Sequence, residues 1–440
     1  MKRIYNALFT FFFCLSAPFY FLKMWRRGNW QQGFSQRFGR FSSAVKQSVT
    51  NRQVLWIHAV SVGEVNIATQ LIRALELRLP NLKTVVSTTT STGMGELQKK
   101  LPSHIQKIYY PVDRRTCVMR SVLSIHPDAI VLVEAEVWPN FLWYADERRI
   151  PRFLVNARLS KRSYRGYRLA GFLFRSIFAG FAGVGCQNEE DAKRLRALGC
   201  RPETIRVVGN MKFDAAKLEE RRLLDVKHLL QQLGLPPNTR LLVAGSTHAG
   251  EESIIAEVFL RLRQRFPELF LVLVPRHFER GKEVGRELAA RKVRFIYRSE
   301  VTANSHVKNR PLDCLLVNTT GELKYFYEHA AAVFVGKSLT AEGGQNPLEP
   351  GALGRPMVFG PNMQNFEAIA RSLVDHKGAR MIHDATELES ALAEILADAD
   401  LAAEMGANAR KVIRENLGAV ERTVEMIAEV LQPEQPGDAG

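Results

Sequence analysis

Glu64 closes the run His58-Ala59-Val60-Ser61-Val62-Gly63-Glu64, whose composition suits the end of a strand and the start of a helix. Ser61 and Gly63 permit a tight turn, and the free N–H groups of a helix start favour an anion. An acid in the first helical turn more often complements the helix dipole, so Glu64 by itself would carry no chemistry. A second acidic strand end changes the balance: Glu134-Ala135-Glu136-Val137-Trp138-Pro139-Asn140. Two carboxylates beside Trp and Pro, directly after an apolar run, are hard to justify by stability alone. Should Glu64 and Glu134 converge, one could act as a general base and the other could hold or tune it. Lys212, in Val208-Gly209-Asn210-Met211-Lys212-Phe213-Asp214, could then meet a phosphate or a developing charge. Without such company it would read as a solvated turn lysine.

The second half of the chain has its own polar strand ends. Ala244-Gly245-Ser246-Thr247-His248 has the small residues of a phosphate cradle but lacks the Gly-Lys-Ser/Thr of a P-loop. Pro275 and Arg276, in Val274-Pro275-Arg276-His277, put a guanidinium where a phosphate or a base could be held. Thr320-Gly321-Glu322-Leu323 is a further turn. Gly343-Gly344-Gln345-Asn346-Pro347-Leu348-Glu349-Pro350-Gly351 offers backbone N–H groups, and Glu349 could accept from ribose hydroxyls. Each segment alone is a turn, but so many of them, all at strand ends, are not easily a coincidence. HExxH, GxSxG and a GxGxxG after the first strand are all missing, which argues against zincins, serine hydrolases and simple dehydrogenases. Asp398-Ala399-Asp400 reads as a helix start in an Ala/Leu-rich region. Neither a metal nor a cofactor is expected.

What must position these residues is a pair of βαβ series. Short apolar runs at 54–60, 83–90, 129–136, 153–157 and 184–187 read as buried parallel strands, with helical spacing between them. A second series runs through 241–246, 269–275, 293–297, 314–318, 332–336 and 356–360. The pattern predicts an α/β chain with two doubly wound, Rossmann-like domains facing a cleft, and ligands at the carboxyl ends of the strands. The charged segment 215–240, which ends in Gly234, Pro236 and Pro237, marks the junction. The division is 1–33 as a membrane anchor or interfacial segment, 34–225 as the first domain, 226–431 as the second and 432–440 as a disordered tail.

From Ile4 to Leu22 no side chain is charged, Pro18 interrupts the run, and Lys23, Arg26, Arg27, Arg37 and Arg40 follow. Length and flanks favour an uncleaved anchor or an interfacial helix over a signal peptide. The net charge of +16 calls for an anionic partner: nucleic acid, an anionic bilayer or a phosphorylated substrate. The basic residues are dispersed, and no nucleic-acid motif accompanies them. Five scattered cysteines without a CxxC pair indicate a reducing compartment.

As a set, HAVSVGE, EAEVWPN, NARLS, CQNEEDAKRLRALG, GNMKFD, AGSTHAGEE, PRH, TGEL and GGQNPLEP resemble the 3-deoxy-D-manno-octulosonic acid (Kdo) transferases, from about Phe34 to past Gly360. The resemblance implies a GT-B fold and inverting transfer of Kdo from a CMP-Kdo donor to a lipid A precursor in lipopolysaccharide biosynthesis. It further implies action without a metal at an anionic membrane, the cytoplasmic face of the bacterial inner membrane, with no role for nucleic acid. It casts Glu64 as catalytic base, with Glu134 and Lys212 as supporting polar residues. Pro275, Arg276, Gly321, Glu322, Leu323, Asn346, Pro347, Leu348 and Glu349 fall in the CMP-binding segments. Phe278, Asn318, Gln345, Asn362 and Gln364 depart from the usual pattern. The competing expectations are a GT-B enzyme using a UDP-sugar, or a basic peripheral-membrane binding protein without catalysis.

Overall fold

Residues 54–58 read VLWIH, a run that suits a strand covered on both faces. In the computed structural model, which describes residues 2–26, 31, 33–134, 136–216, 224–302 and 311–432, they form β1 (Val54–His58), buried throughout. The same sheet contains β2 (Lys83–Thr88), β3 (Gln106–Tyr109), β4 (Ala129–Val133), β5 (Arg152–Ala157), β6 (Gly183–Cys186) and β7 (Ile205–Val207). The order is β3-β2-β1-β4-β5-β6-β7 and every pair is parallel. Successive side chains point to opposite faces. Trp56 accordingly joins one apolar cluster while Leu55 and Ile57 join the other. Helices relevant to the site are α1 (Lys2–Arg26), α2 (Val62–Arg78), α3 (Pro139–Glu147), α4 (Lys161–Leu169) and α5 (Gly171–Ala179).

The second sheet is built from β8 (Arg240–Thr247), β9 (Leu269–Pro275), β10 (Phe295–Tyr297), β11 (Cys314–Leu316), β12 (Ala330–Val335), β13 (Met357–Phe359) and β14 (Arg380–Met381). It runs β10-β11-β9-β8-β12-β13-β14, again all parallel. Here α6 (Glu251–Arg265) follows β8 and α7 (Leu348–Ala352) precedes β13. Chain order reverses between β1 and β4 in the first sheet and between β8 and β12 in the second. Such switch points leave a crevice at the carboxyl ends of the strands. The strands without a marked apolar run, β3, β7 and β14, all lie at sheet edges. A half-covered edge needs no continuous apolar sequence.

The chain divides into two compact units, one of residues up to Asp214 together with those from Gly418 onward, the other Ala215–Leu417. The first boundary therefore falls before 225. The sequence reading also assigned the last helix, α8 (Ala419–Leu431), to the second half, whereas it belongs to the first unit. Val420, Val424, Met426 and Ile427 bury into the cluster of Leu55, Ile57 and Val131. Gly183 on β6 makes room, since a Cβ there would lie 3.1 Å from Met426 Cγ. Amphipathic spacing identifies a helix but not the sheet it covers. The tail expected at 432–440 lies, beyond Gln432, outside the described residues.

Asp214 fastens this return. Its Oδ1 accepts from Gly418 N–H at 2.7 Å and its Oδ2 from Val420 N–H at 2.7 Å, giving the free N–H groups of the α8 N-terminus acceptors from outside the helix.

Helix α1 continues through Pro18, and the stretch Lys2–Leu22 is long and apolar enough to cross a membrane, with mean hydropathy 1.4. Its first turns are docked on the first unit. Tyr5 Oη donates to Asp113 Oδ2 at 2.8 Å, and the Asn6 and Asn140 amides exchange bonds at 3.2 and 2.9 Å. Phe11, Phe12, Leu15 and Phe19 are exposed.

Asp214→Ala removes two charge-assisted bonds at a helix start and should destabilise the first unit by about 1–3 kcal/mol. Urea denaturation of the full chain checks this. An unchanged midpoint would remove Asp214 as the fastener.

Candidate active site

Ser61 caps α2. Its Oγ accepts from Glu64 N–H at 3.2 Å, and Glu64 Oε2 accepts from Val60 N–H at 2.8 Å. The run Ser61-Val62-Gly63-Glu64 is thus a variant capping box, the acid reaching one residue further back than usual. The helix-start role weighed above is real, and it fixes the carboxylate at the carboxyl end of β1. Glu64 is only 9% exposed. Its pKa is raised, first by burial and then, against the bonds from Val60 and Ser61, by the charges of Glu134 and Glu136.

Glu134 and Glu136 leave β4, the neighbour of β1 across the switch point. Glu134 has φ +65°, a left-handed conformation uncommon for a residue with a Cβ and frequent where a functional group is aimed. Lys212 Nζ stands 3.8 Å from Glu134 Oε1. The turn bearing Lys212 is held at both ends, by Asp214 and by buried Asn156, whose Oδ1 accepts from Met211 N–H at 2.9 Å. Glu64, Glu134 and Lys212, singled out separately in sequence, therefore gather at one crevice.

Sequence reasoning undervalued Glu136. Trp138 Nε1 donates to its Oε2 at 2.8 Å, and buried His58 Nε2 lies 3.7 Å away. Burial pushes this carboxyl up, but His58 and Trp138 outweigh it and hold the pKa below the usual value. The signal was the spacing itself: two acids one residue apart past a strand end, with an indole two residues on. His58 is braced from behind, its Nδ1 3.1 Å from Ser87 O and its ring stacked on Tyr110 at 3.8 Å.

Beside Glu136 opens a cavity of about 810 Å³ in the first unit, walled mainly by apolar side chains. Phe9, Phe13 and Ala17 of α1 form one side, Phe38 and Trp138 another.

In the second unit, Pro275 ends β9 and Arg276 is exposed just beyond it. Asn346 Oδ1 accepts from Leu348 N–H at 3.0 Å and its amide donates to Glu349 Oε1 at 3.1 Å. Glu349 is half-buried; desolvation raises its pKa against the Asn346 bond and the charges of Lys324 and Arg276. Arg276 and Glu349 thus share a neighbourhood. Gly321 adopts φ +82°, and Leu323 packs over Gly245 at the end of β8, where a Cβ would lie 3.0 Å from Leu323 Cδ1 and collide with Tyr327. Glu322 is tied to Arg298 at 3.0 Å and to Thr319, the geometry of a brace.

Glu251 was not singled out in sequence, yet it is fully buried and stitches the second switch point. Its two oxygens accept from the N–H groups of His248, Lys337, Ser338 and Leu339 at 2.7–3.0 Å. Asp398 caps a helix, accepting from Asp400 and Leu401 N–H.

The sequence model of a family described as 3-deoxy-D-manno-octulosonic-acid transferase (Kdotransferase) matches residues 32–215. The chain is 31% identical to the 3-deoxy-D-manno-octulosonic acid transferase of Haemophilus influenzae, over 92% of each chain. It is 32% identical to that of Bordetella pertussis, over 94% of this chain and 97% of the other. Among solved structures, UDP-GlcNAc 2-epimerase from Neisseria meningitidis bound to UDP-GlcNAc aligns over 86% of this chain and 100% of its own, with TM-score 0.56 and 14% identity. That last likeness speaks for the fold alone.

Because Glu134 repels the charged form of Glu64, Glu134→Gln should lower the Glu64 pKa, and the Lys212 charge it leaves behind acts in the same direction. Infrared titration of the carboxyl band, assigned by difference against Glu64→Gln, reads this out. A titration that stays put would mean the two carboxylates do not share a field.

Proposed function

The chain belongs to the 3-deoxy-D-manno-octulosonic acid (Kdo) transferase family, glycosyltransferases of lipopolysaccharide biosynthesis, and from that premise we propose that it moves Kdo from CMP-Kdo to a lipid A precursor with Glu64 as base. The carrying observation is the gathering of Glu64, Glu134 and Lys212 at the switch point of the first sheet. Glu64 Oε2 is held by Val60 N–H, leaving Oε1 to take the proton from the acceptor's hydroxyl. That oxygen attacks the anomeric carbon from the face opposite CMP. The bond to the CMP phosphate breaks, CMP departs with the electron pair, and the configuration inverts. A base with a raised pKa is better matched to an alcohol proton than an ordinary carboxylate. Glu134 and Lys212 set the field around it.

Arg276, Glu349 and the turns at Gly321–Leu323 and Asn346–Leu348 are the donor side in this reading, with Arg276 for phosphate or base and Glu349 for ribose. Glu322 would act there by holding its turn through Arg298. The apolar cavity beside Glu136 suits acyl chains of the acceptor, with the sugar hydroxyl at the carboxylates. Helix α1 would lie in the inner membrane, keeping the enzyme on the cytoplasmic surface where a lipid acceptor is presented.

Glu64→Gln keeps an oxygen for Val60 N–H, so the cap and the fold survive while the base is lost. Transfer should fall roughly 10²–10⁴-fold with CMP affinity intact, measured by product mass and calorimetry. Near-normal turnover by the folded variant would pass the role of base to Glu134. Glu349→Ala should weaken CMP binding by about 1.5–3 kcal/mol through a lost charged hydrogen bond. An unchanged calorimetric affinity would put the ribose elsewhere.

A further inference from the structure

Residues 148–188 contain no Asp or Glu. Within that stretch, α4 and α5 meet at a corner whose outer side is both cationic and apolar. Lys161, Arg162, Arg165 and Arg168 are exposed, and among the described residues none of them is in an ion pair. At 100° per residue they fall on one arc of α4 together with Leu169, while Tyr164 and Tyr167 fall on the other and pack against the core. Leu169 is 88% exposed and Phe172, just past the corner, is 69% exposed. A Cβ added at Gly166 or Gly171 would meet nothing within 4 Å, so this flank faces open space.

Large apolar side chains at a helix corner, ringed by unpaired cations, fit one partner better than any other. A protein interface would rarely leave so many desolvated guanidinium groups without acids of its own chain nearby. The boundary of an anionic bilayer accepts both kinds of group at once: rings and aliphatic chains enter between headgroups, and cations meet phosphates. The corner also lies beside the carboxylate crevice. The Tyr167 phenol, on the inner side of α4, is pushed up by burial and further by the charge of Glu136.

We propose that the α4–α5 corner is a second bilayer contact, in which Leu169 and Phe172 insert into an anionic lipid surface and Lys161, Arg162, Arg165 and Arg168 pair with lipid phosphates. This rests on the reading that the acceptor is held in a membrane, and it goes further by fixing which edge of the first unit rests on that membrane. Helix α1 alone tethers the unit; a second contact beside Glu136 orients it, turning the carboxylates toward the lipid surface.

The full chain carrying Cys14→Ser, its remaining cysteines buried, accepts an environment-sensitive fluorophore at Leu169→Cys or, as a control, at Leu77→Cys. Leu77 is equally exposed at 87% but ends α2, at the opposite end of the sheet. On vesicles of phosphatidylglycerol and phosphatidylethanolamine the label at 169 should shift to the blue and be quenched by brominated acyl chains. It should do neither at 77, and high salt should reverse the effect. A label at 169 that behaves like the one at 77 overturns the proposal. In parallel, Arg165→Gln with Arg168→Gln should reduce transfer to an acceptor in anionic vesicles at least about tenfold, leaving transfer to the same acceptor in detergent micelles unchanged. Loss in both media would mean these cations hold the acceptor's own phosphates, and no loss in either would mean they hold nothing; both outcomes reject the bilayer contact. If the unsubstituted chain transfers Kdo in neither medium, the glycosyl-transfer reading fails, while the fluorophore still decides the surface.

Discussion

Three carboxylates crowd one end of the first sheet, and most of the local architecture answers to their mutual repulsion. Glu64 is largely removed from water and feels the charges of Glu134 and Glu136, while half-buried Glu136 lies against His58. Like charges so placed persist only where each is compensated separately. Val60 N–H and the Ser61 cap serve Glu64, Lys212 serves Glu134, and Trp138 with His58 serves Glu136. The compensation is unequal, and the inequality is what matters. The indole and imidazole over-compensate Glu136 and keep it ionised, while burial leaves Glu64 with a raised affinity for a proton. Neighbouring carboxylates held in different protonation tendencies are the arrangement that divides acid–base work among chemically identical groups.

Keeping Lys212 within reach of Glu134 has a structural consequence well beyond the crevice. The turn that carries it leaves the edge strand β7, an exposed three-residue strand with little to fix it. Asn156 holds its start and Asp214 its end, and Asp214 does so by gripping α8, which lies more than 200 residues away in sequence. The closing helix is thus coupled to the position of a charged side chain through one buried carboxylate. Asn156 itself takes φ +51°, a conformation that asparagine tolerates better than most residues. NARLS and GNMKFD are two ends of one brace.

Much of this was legible in the sequence because parallel sheets advertise themselves. Interior strands must be apolar on both faces, so β1, β4, β8 and β9 stand out, and polar residues just past them mark the crevice. Edge strands such as β14 carry no such obligation and leave no run. The register that brings Lys212 to Glu134 and not to bulk water depends on side chains far apart in sequence, and no local pattern encodes it. The same holds for the membership of α8, whose amphipathic face would suit either sheet. Glu322 shows the opposite failure. An acid just past a strand end looks like a ligand in sequence, yet this one spends its oxygens on Arg298 and Thr319.

Each unit therefore has a switch point of its own, and the two are built in chemically different ways. In the second unit the crevice is closed by Glu251, which immobilises the backbone on both sides of it. Arg276 and Lys324 place positive charge near Glu349 there. In the first unit the link between the ends of β1 and β4 is itself ionisable, His58 against Glu136 at 3.7 Å. The acids at these strand ends each keep a partner of their own, and Glu134 takes a left-handed backbone conformation at φ +65°. In the proposed reading such rigidity around Glu251 would suit recognition of a nucleotide by fixed hydrogen bonds. A site that must take a proton needs a group whose two charge states lie close in free energy, and burial beside like charges is the way a carboxylate reaches that condition. The apolar cavity opens beside Glu136, the side from which a lipid acceptor would approach in the proposed reading.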